Sequence, residues 1–283
     1  MNTVAKRLLV FFIGVPIVIG IVSLSYYNFI ALNIVVVSVS ALAANEMYNM
    51  ISLKNKLFAK TSTLIFTTAL PFLAYNFILT DMDFANLIWF LVIEIFAFMA
   101  IESFIAKSFE DSIAKIAYTV LILFYCGYMP TFITRLTAVK ENATVFIYLY
   151  FILVFMCDSG AWFFGILFGK STRGIFAASP NKSIVGFFGG IITSIACGIV
   201  MKLIFPYVFF GPYWKIIIVG FLTALAAIIG DLIESVFKRS CGVKDSGNLF
   251  PGRGGMLDCM DSLLLGAPVY YVSIHFLYLT TKL

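Results

Sequence analysis

A chain of 283 residues that is 62% hydrophobic and only 12% charged, with a mean hydropathy of +1.04, is too apolar and too poor in charge for a water-soluble domain. Its net charge is a modest +5, and no nucleic-acid polymer is expected as a partner. Five cysteines, odd in number and without a CxxC pair, imply neither a disulfide framework nor a zinc site.

Taken in chain order, apolar runs long enough to cross a hydrocarbon core occur at residues 8–24, 29–44, 61–79, 84–101, 113–133, 143–168, 184–210, 214–233 and 263–279. The fold class expected is an all-α integral membrane protein of about nine transmembrane helices. The second run is short. The seventh is over-long and contains Lys202, which predicts a tilted or broken helix there. Lys6, Arg7 and the "ALAAN" stretch beginning at Ala41 resemble parts of a cleaved signal, but two apolar runs precede that stretch, so it is read as part of a retained span.

Cytoplasmic loops collect Lys and Arg. With nine spans and the N-terminus inside, fourteen of the nineteen cations fall on the cytoplasmic side, among them Lys54, Lys56, Lys107, Lys170, Lys182, Lys238 and Arg253. The expectation is an N-terminus in the cytoplasm and a C-terminus outside. Residues 1–140 read as a multi-span region with plain loops, and residues 141–283 as a membrane region bearing the chemistry.

Three polar clusters carry that chemistry: Cys157 to Ser183, Gly230 to Arg239, and "KDSGNLFPGRGGMLDCMDS" from Lys244 to Ser262. All three fall on the cytoplasmic side of the topology. Asp231 and Glu234 are three residues apart near one helix end, as are Asp258 and Asp261 near another, so each pair shares a helical face. Hard carboxylate ligands suit Mg²⁺ with substrate phosphates beside it. The plainer reading is that such aspartates cap helices or sit solvated at the interface.

Asp158 lies ten residues before Phe168, on the order of 15 Å into the membrane at 1.5 Å per residue. The adjacent Ser159 and Gly160 would let the helix break there or another segment come close. Glu94, in mid-span without polar neighbours, reads as structural. Lys238, Arg239, Lys244 and Arg253, with Lys170 and Lys182, form a basic rim alongside Gly252, Gly254 and Gly255, a mixture suited to polyphosphate. For Lys170 and Arg173 a purely topological role explains as much.

"GILFGKS" is one residue short of a P-loop and lacks its strand–loop–helix setting. The single histidine, His275, lies a helix-length from these clusters and reads as a packing residue. Metal-binding carboxylates, a polyphosphate cradle and no histidine base fit phosphoryl or nucleotidyl transfer. A phosphate monoester acceptor is largely dianionic at neutral pH and requires no base.

"GDLIESVFKRSCGVKDSGNLFPGRGGMLDCMDSLL" resembles the C-terminal signature of the phosphatidate cytidylyltransferases (CDP-diacylglycerol synthases), which runs Ser-x-x-Lys-Arg, Lys-Asp, Pro-Gly-His-Gly-Gly and Asp-Arg-x-Asp. The matching positions are Ser235, Lys238, Arg239, Lys244, Asp245, Pro251, Gly252, Gly254, Gly255, Asp258 and Asp261. Upstream, "DSGAWFFGILFGK" and "SPNKSIVGFFGG" match at Asp158, Gly169, Lys170, Ser179, Pro180, Lys182, Gly186 and Gly190.

The resemblance implies a reaction of CTP with phosphatidic acid that gives CDP-diacylglycerol and pyrophosphate, within phospholipid biosynthesis in a prokaryotic cell (inner) membrane. It implies Mg²⁺ as cofactor and admits a monovalent cation beside it, in a lipid-embedded homodimer. Asp231, Asp258 and Asp261 would bind metal, with Lys244 and Asp245 in the catalytic set. Asp158, Lys170, Ser179, Lys182, Ser235, Lys238, Arg239, Gly252, Arg253, Gly254 and Gly255 would bind substrate.

Two positions depart from the pattern: Arg253 replaces its histidine and Cys259 its arginine. Arg253, six residues upstream of Cys259, is expected to supply the displaced charge. A degenerate homologue and a transporter using Asp158 and Glu94 are the competing readings. The gathering of polar residues at one face, without an evident inverted repeat, counts against a transporter.

Overall fold

A computed structural model describes residues 14–250 and 252–280 of the chain. Among the described residues no strand forms, and pairing is limited to two isolated bridges. The helices are α1 (Gly14–Ser23), α2 (Tyr26–Ser52), α3 (Lys60–Leu79), α4 (Leu87–Ile105), α5 (Ser112–Ile122), α6 (Thr131–Thr137), α7 (Ala143–Leu167), α8 (Ile184–Ile204), α9 (Tyr213–Cys241) and α10 (Met256–Ile274).

Among the described residues eight segments are long and apolar enough to cross a membrane, and they correspond to the second through ninth predicted runs. Of the first run, residues 8–13 lie outside the described residues, as do Lys6, Arg7, Pro251 and Lys282; its remainder forms α1. The chain is therefore an all-α integral membrane protein. Trp89, Phe96, Trp162 and Phe188 lie exposed on the outside of its helices, as side chains facing acyl tails would.

α2 runs on to Ser52, eight residues past the second apolar run, and so takes in Glu46; α9 and α10 also extend past their runs, and their extensions carry motif residues. α9 continues to Cys241 and takes in Ser235, Lys238 and Arg239, whereas α10 begins at Met256, seven residues before the predicted start. A hydropathy run ends where polar residues begin, but a helix needs only backbone hydrogen bonds and an apolar stripe on one face. The over-long seventh run stops as a helix at Ile204. There the Lys202 ammonium donates to the carbonyls of Phe209 and Gly211, tying residues 205–211 back to the helix end.

The chain divides into two compact units, Met1–Ala138 with Ser240–Cys259, and Val139–Arg239 with Met260–Leu283. The first unit packs Phe58, Leu70, Leu91, Phe98 and Leu123 into one apolar cluster. Its span Ser112–Thr137 joins α5 to α6 through a π-helical stretch at Leu123–Tyr128 and then Pro130, where the missing N–H interrupts the ladder. Glu94 is buried in α4, and its Oε2 finds no hydrogen-bond partner. Outside the spans, the exposed Lys56 pairs with Asp111 at 2.6 Å, and this hydrogen bond raises the lysine pKa above its usual value.

The sequence division counted residues 240–259 with the C-terminal region. They cluster with the first unit because α2 and the loop after it hold them: Lys54 Nζ donates to the Ser240 carbonyl at 2.8 Å, and Glu46 takes three donors from this segment, described below.

The second unit is clamped by two buried tyrosines. Tyr150 Oη donates to the Leu263 carbonyl at 2.5 Å, and Tyr270 Oη donates to the Phe146 carbonyl at 2.6 Å, fastening α7 to α10 in both directions. Cys157 of α7 packs with Ala224 and Ile228 of α9. Replacing Tyr270 by Phe removes one buried neutral hydrogen bond, so Tyr270→Phe is expected to lower stability by about 1 kcal/mol. A thermal melt of the purified protein in detergent checks this, and an unchanged midpoint would show that the hydroxyl contributes nothing.

Candidate active site

The second unit gathers acidic side chains from three helices. α9 supplies Asp231 and Glu234, α7 supplies Asp158, and α10 supplies Asp261. The carboxylates of Asp231, Asp158 and Glu234 all lie close enough to Asp261 to act on it electrostatically. α9 and α10 reach this proximity because residue 230 is glycine: a Cβ there would stand 2.6 Å from the Asp261 carbonyl oxygen. Glu234 is fully buried and Asp261 nearly so, whereas Asp231 is partly open. Asp158 is exposed and accepts from Ser262 Oγ at 3.3 Å. α7 does not break at this aspartate; the space beside Gly160 is taken by Thr193 of α8, so the close-approach expectation is the one realised.

Two of these carboxylates form ion pairs with lysines. Lys182 Nζ stands 2.6 Å from Asp231 Oδ2, and Lys238 Nζ stands 2.5 Å from Glu234 Oε2, one turn along α9. Lys182 is brought there by the loop between α7 and α8. In that loop the Lys182 N–H donates to the Ser179 carbonyl, the Gly174 N–H to the Pro180 carbonyl, and Arg173 to the Gly165 carbonyl. Ser183 then caps α8, accepting from the Gly186 N–H at 3.0 Å. Arg239 donates to the Ala178 carbonyl of the same loop at 3.3 Å, Ser235 is buried on α9, and Lys170 is exposed in a single 3₁₀ turn.

The first unit holds the remaining motif residues. Lys244, Asp245, Gly252 and Arg253 are exposed in the loop that follows α9. Gly252 and Gly254 adopt φ of +82° and +99°, a left-handed conformation that favours glycine. They close a turn in which the Arg253 and Gly254 N–H groups donate to the Phe250 carbonyl. Asp258, at the start of α10, accepts through Oδ2 from the N–H groups of Ser246 and Gly255, both at 2.7 Å, and from Ser246 Oγ at 2.8 Å.

Glu46 of α2 is a residue that sequence reasoning missed. It is buried, and it accepts from the N–H groups of Met256 and Leu257 and from Ser246 Oγ, each at 2.9 Å. Glu46 stands two residues past the end of the second apolar run, in the "AANEMYN" stretch, and an acidic residue at the continuation of a span was the one available signal, since such a group requires a partner.

The donor set suits a divalent cation: hard oxygens only, with carboxylates outnumbering the ammonium groups beside them. Among the described residues no three His, Cys, Asp or Glu side chains already form a ligating set. Asp231 Oδ2 is engaged by Lys182 and Asp261 Oδ1 by the Ser262 N–H. Cation binding at Asp231 therefore entails displacing or sharing the lysine.

A sequence profile of the cytidylyltransferase family matches residues 5–277. The chain belongs to that family. The phosphatidate cytidylyltransferase of Staphylococcus epidermidis is 35% identical over 189 residues, covering 64% of this chain and 69% of that protein. The Staphylococcus haemolyticus enzyme of the same name is 40% identical over 132 residues, 47% of this chain and 50% of its own. That of Bacillus subtilis is 31% identical over 158 residues, 56% and 57%. With eight candidate spans and bacterial relatives, this family member is a multi-pass protein of the bacterial cell membrane, the inner one where there are two.

The cytidylyltransferase's close helix approach at Gly230 is open to direct test. Gly230→Val is expected to separate α9 from α10 and destabilise the fold by about 1–3 kcal/mol through overpacking, lowering the melting midpoint; a midpoint equal to wild type would show that the approach is not needed.

Proposed function

We propose that this cytidylyltransferase makes CDP-diacylglycerol and pyrophosphate from CTP and phosphatidic acid. The observation that carries the reading is the grouping of Asp158, Asp231, Glu234 and Asp261 in the second unit, at helix positions bearing the family signature. The transfer needs one bond made and one broken. A phosphate oxygen of phosphatidic acid attacks the α-phosphorus of CTP, and the bond from that phosphorus to the bridging oxygen breaks, releasing pyrophosphate with the electron pair. The attacking monoester is already deprotonated at neutral pH, so no side chain has to take a proton.

Asp231, Asp258 and Asp261 are the proposed holders of Mg²⁺, which when bound would neutralise phosphate charge. Lys244, Arg239 and Arg253 neutralise the triphosphate from the protein side, and the amides around Gly252, Gly254 and Gly255 approach its oxygens. Lys182 and Lys238 keep Asp231 and Glu234 compensated before substrate arrives. Asp245 stands beside Lys244 in the same loop, and a monovalent cation beside Mg²⁺ and a homodimer remain part of the reading through the resemblance. The N-terminus inside and the C-terminus outside would put this chemistry on the cytoplasmic face, where CTP is made available.

Purified protein given CTP, Mg²⁺ and phosphatidic acid is expected to release pyrophosphate and form CDP-diacylglycerol, and chelation of the metal is expected to stop it. Asp231→Asn, Asp258→Asn and Asp261→Asn are each expected to lower kcat/KM about 100-fold or more, a loss of several kcal/mol of transition-state stabilisation. No product from wild type, or Asp258→Asn turning over like wild type, would refute the assignment. Arg253→His is expected to lower turnover severely, because it removes the guanidinium that stands in for the arginine missing at Cys259; a variant at wild-type rates would show that no compensation operates.

A further inference from the structure

In the first unit, two carboxylates 212 positions apart in sequence hold one short strap of chain. Glu46 takes the N–H groups of Met256 and Leu257, the donors that the first turn of α10 leaves without helical partners. Asp258 takes the N–H groups of Ser246 and Gly255. Between them stands Ser246, whose Oγ is 2.9 Å from Glu46 Oε2 and 2.8 Å from Asp258 Oδ2. A hydroxyl carries one proton and donates to one of them at a time.

The space around the pair is filled. A Cβ at Gly247 would stand 2.6 Å from Glu46 Oε1, and one at Gly255 would collide with Glu46 Oε2 and Ser246 Oγ. Both glycines therefore let the strap lie directly against the Glu46 carboxylate. Lys244, Asp245 and Arg253 stand on the same stretch of chain, so Glu46 acts on this exposed rim through the strap.

We propose that Glu46 is a positioning residue for the cytidylyl transfer: it fixes residues 246–257 and, by competing for the Ser246 proton, sets the orientation and acceptor capacity of Asp258 toward a cation. This rests on the function proposed above. When Ser246 donates to Glu46, its oxygen faces Asp258 Oδ2 as a second acceptor, and the local negative potential favours a bound cation. When Glu46 is lost, the proton passes to Asp258 and the amides of Met256 and Leu257 lose their acceptor.

The test uses the full-length protein in detergent or nanodiscs with Glu46→Gln, Glu46→Ala and Ser246→Ala. Glutamine keeps the shape but turns one acceptor into a donor facing the strap. Two readouts are taken: amide hydrogen exchange across residues 246–257, and the CTP and Mg²⁺ concentrations at half-maximal rate, with kcat per folded molecule. Glu46→Gln is expected to raise both half-saturating concentrations about tenfold, with a smaller fall in kcat, and to speed exchange at Met256 and Leu257 by a similar factor. Combining it with Ser246→Ala is expected to add little to the metal effect, because the two act through one proton.

Wild-type exchange together with wild-type CTP and Mg²⁺ dependence in Glu46→Gln overturns the proposal, as does a loss of activity explained wholly by a smaller folded fraction. A wild-type protein that makes no CDP-diacylglycerol overturns the proposed reaction alone, and the exchange readout still decides whether Glu46 holds the strap.

Discussion

Negative charge placed among apolar helices has to be compensated, and that constraint organises this protein. An ionised carboxylate withdrawn from water loses hydration worth several kcal/mol unless a cation or a set of donors replaces it. The chain meets the demand in three ways. Glu102 in α4 takes Lys115 at 2.5 Å and Ser112 at 2.7 Å, a closed local pair. Glu46 takes three donors and no cation. Asp231, Glu234, Asp158 and Asp261 are grouped, with Lys182 paired to Asp231 and Lys238 to Glu234. The first two arrangements are local, whereas the third draws its carboxylates from three helices of the second unit.

The same accounting separates scaffold from chemistry along the chain. Tyr150 and Tyr270 tie α7 to α10 through backbone carbonyls, so the aspartates on these helices sit on rigid elements instead of on loops. The exposed cations of the loop after α9 are the opposite case: Lys244 and Arg253 stand on a strap of irregular chain, and the Glu46 and Asp258 carboxylates fix that strap through its backbone amides.

Periodicity and hydropathy were enough to find the spans, because a long apolar run has few alternatives to a helix in lipid. They misplaced the ends of α9 and α10 for the same reason: Asp231 to Arg239 and Met256 to Ser262 are polar by composition yet helical by hydrogen bonding. A spacing of three put Asp231 and Glu234 on one face of α9, but that Asp158 and Asp261 join them while Asp258 is taken up by Ser246 and Gly255 follows from tertiary packing, which no local spacing encodes. Glu46 was not legible either, since its partners lie some 200 residues away. Lys182 was read from the sequence as a substrate contact, whereas what the fold displays is its pairing with Asp231, 49 positions away and not encoded by any local spacing. The excess length of the seventh run was visible in sequence, but its cause, an ammonium bonded to carbonyls of its own following turn, required coordinates.

The position of the one histidine bears on the chemistry as much as the aspartates do. His275 opens a π-helical stretch at the far end of α10 and stacks against Tyr271, with ring centroids 5.9 Å apart. Fourteen residues separate it from Asp261, roughly 21 Å at the rise of an α-helix, well beyond hydrogen-bond reach of any group gathered there. Arg253 occupies the position where the family pattern has a histidine, and a guanidinium does not exchange protons in this pH range. A reaction run by this chain thus has no imidazole to pass a proton. An acceptor that arrives already ionised removes that need, and a phosphate monoester is such an acceptor; an alcohol is not. Transfer onto a phosphate thus runs without an imidazole, whereas transfer onto a hydroxyl would require one of the grouped carboxylates to act as the base.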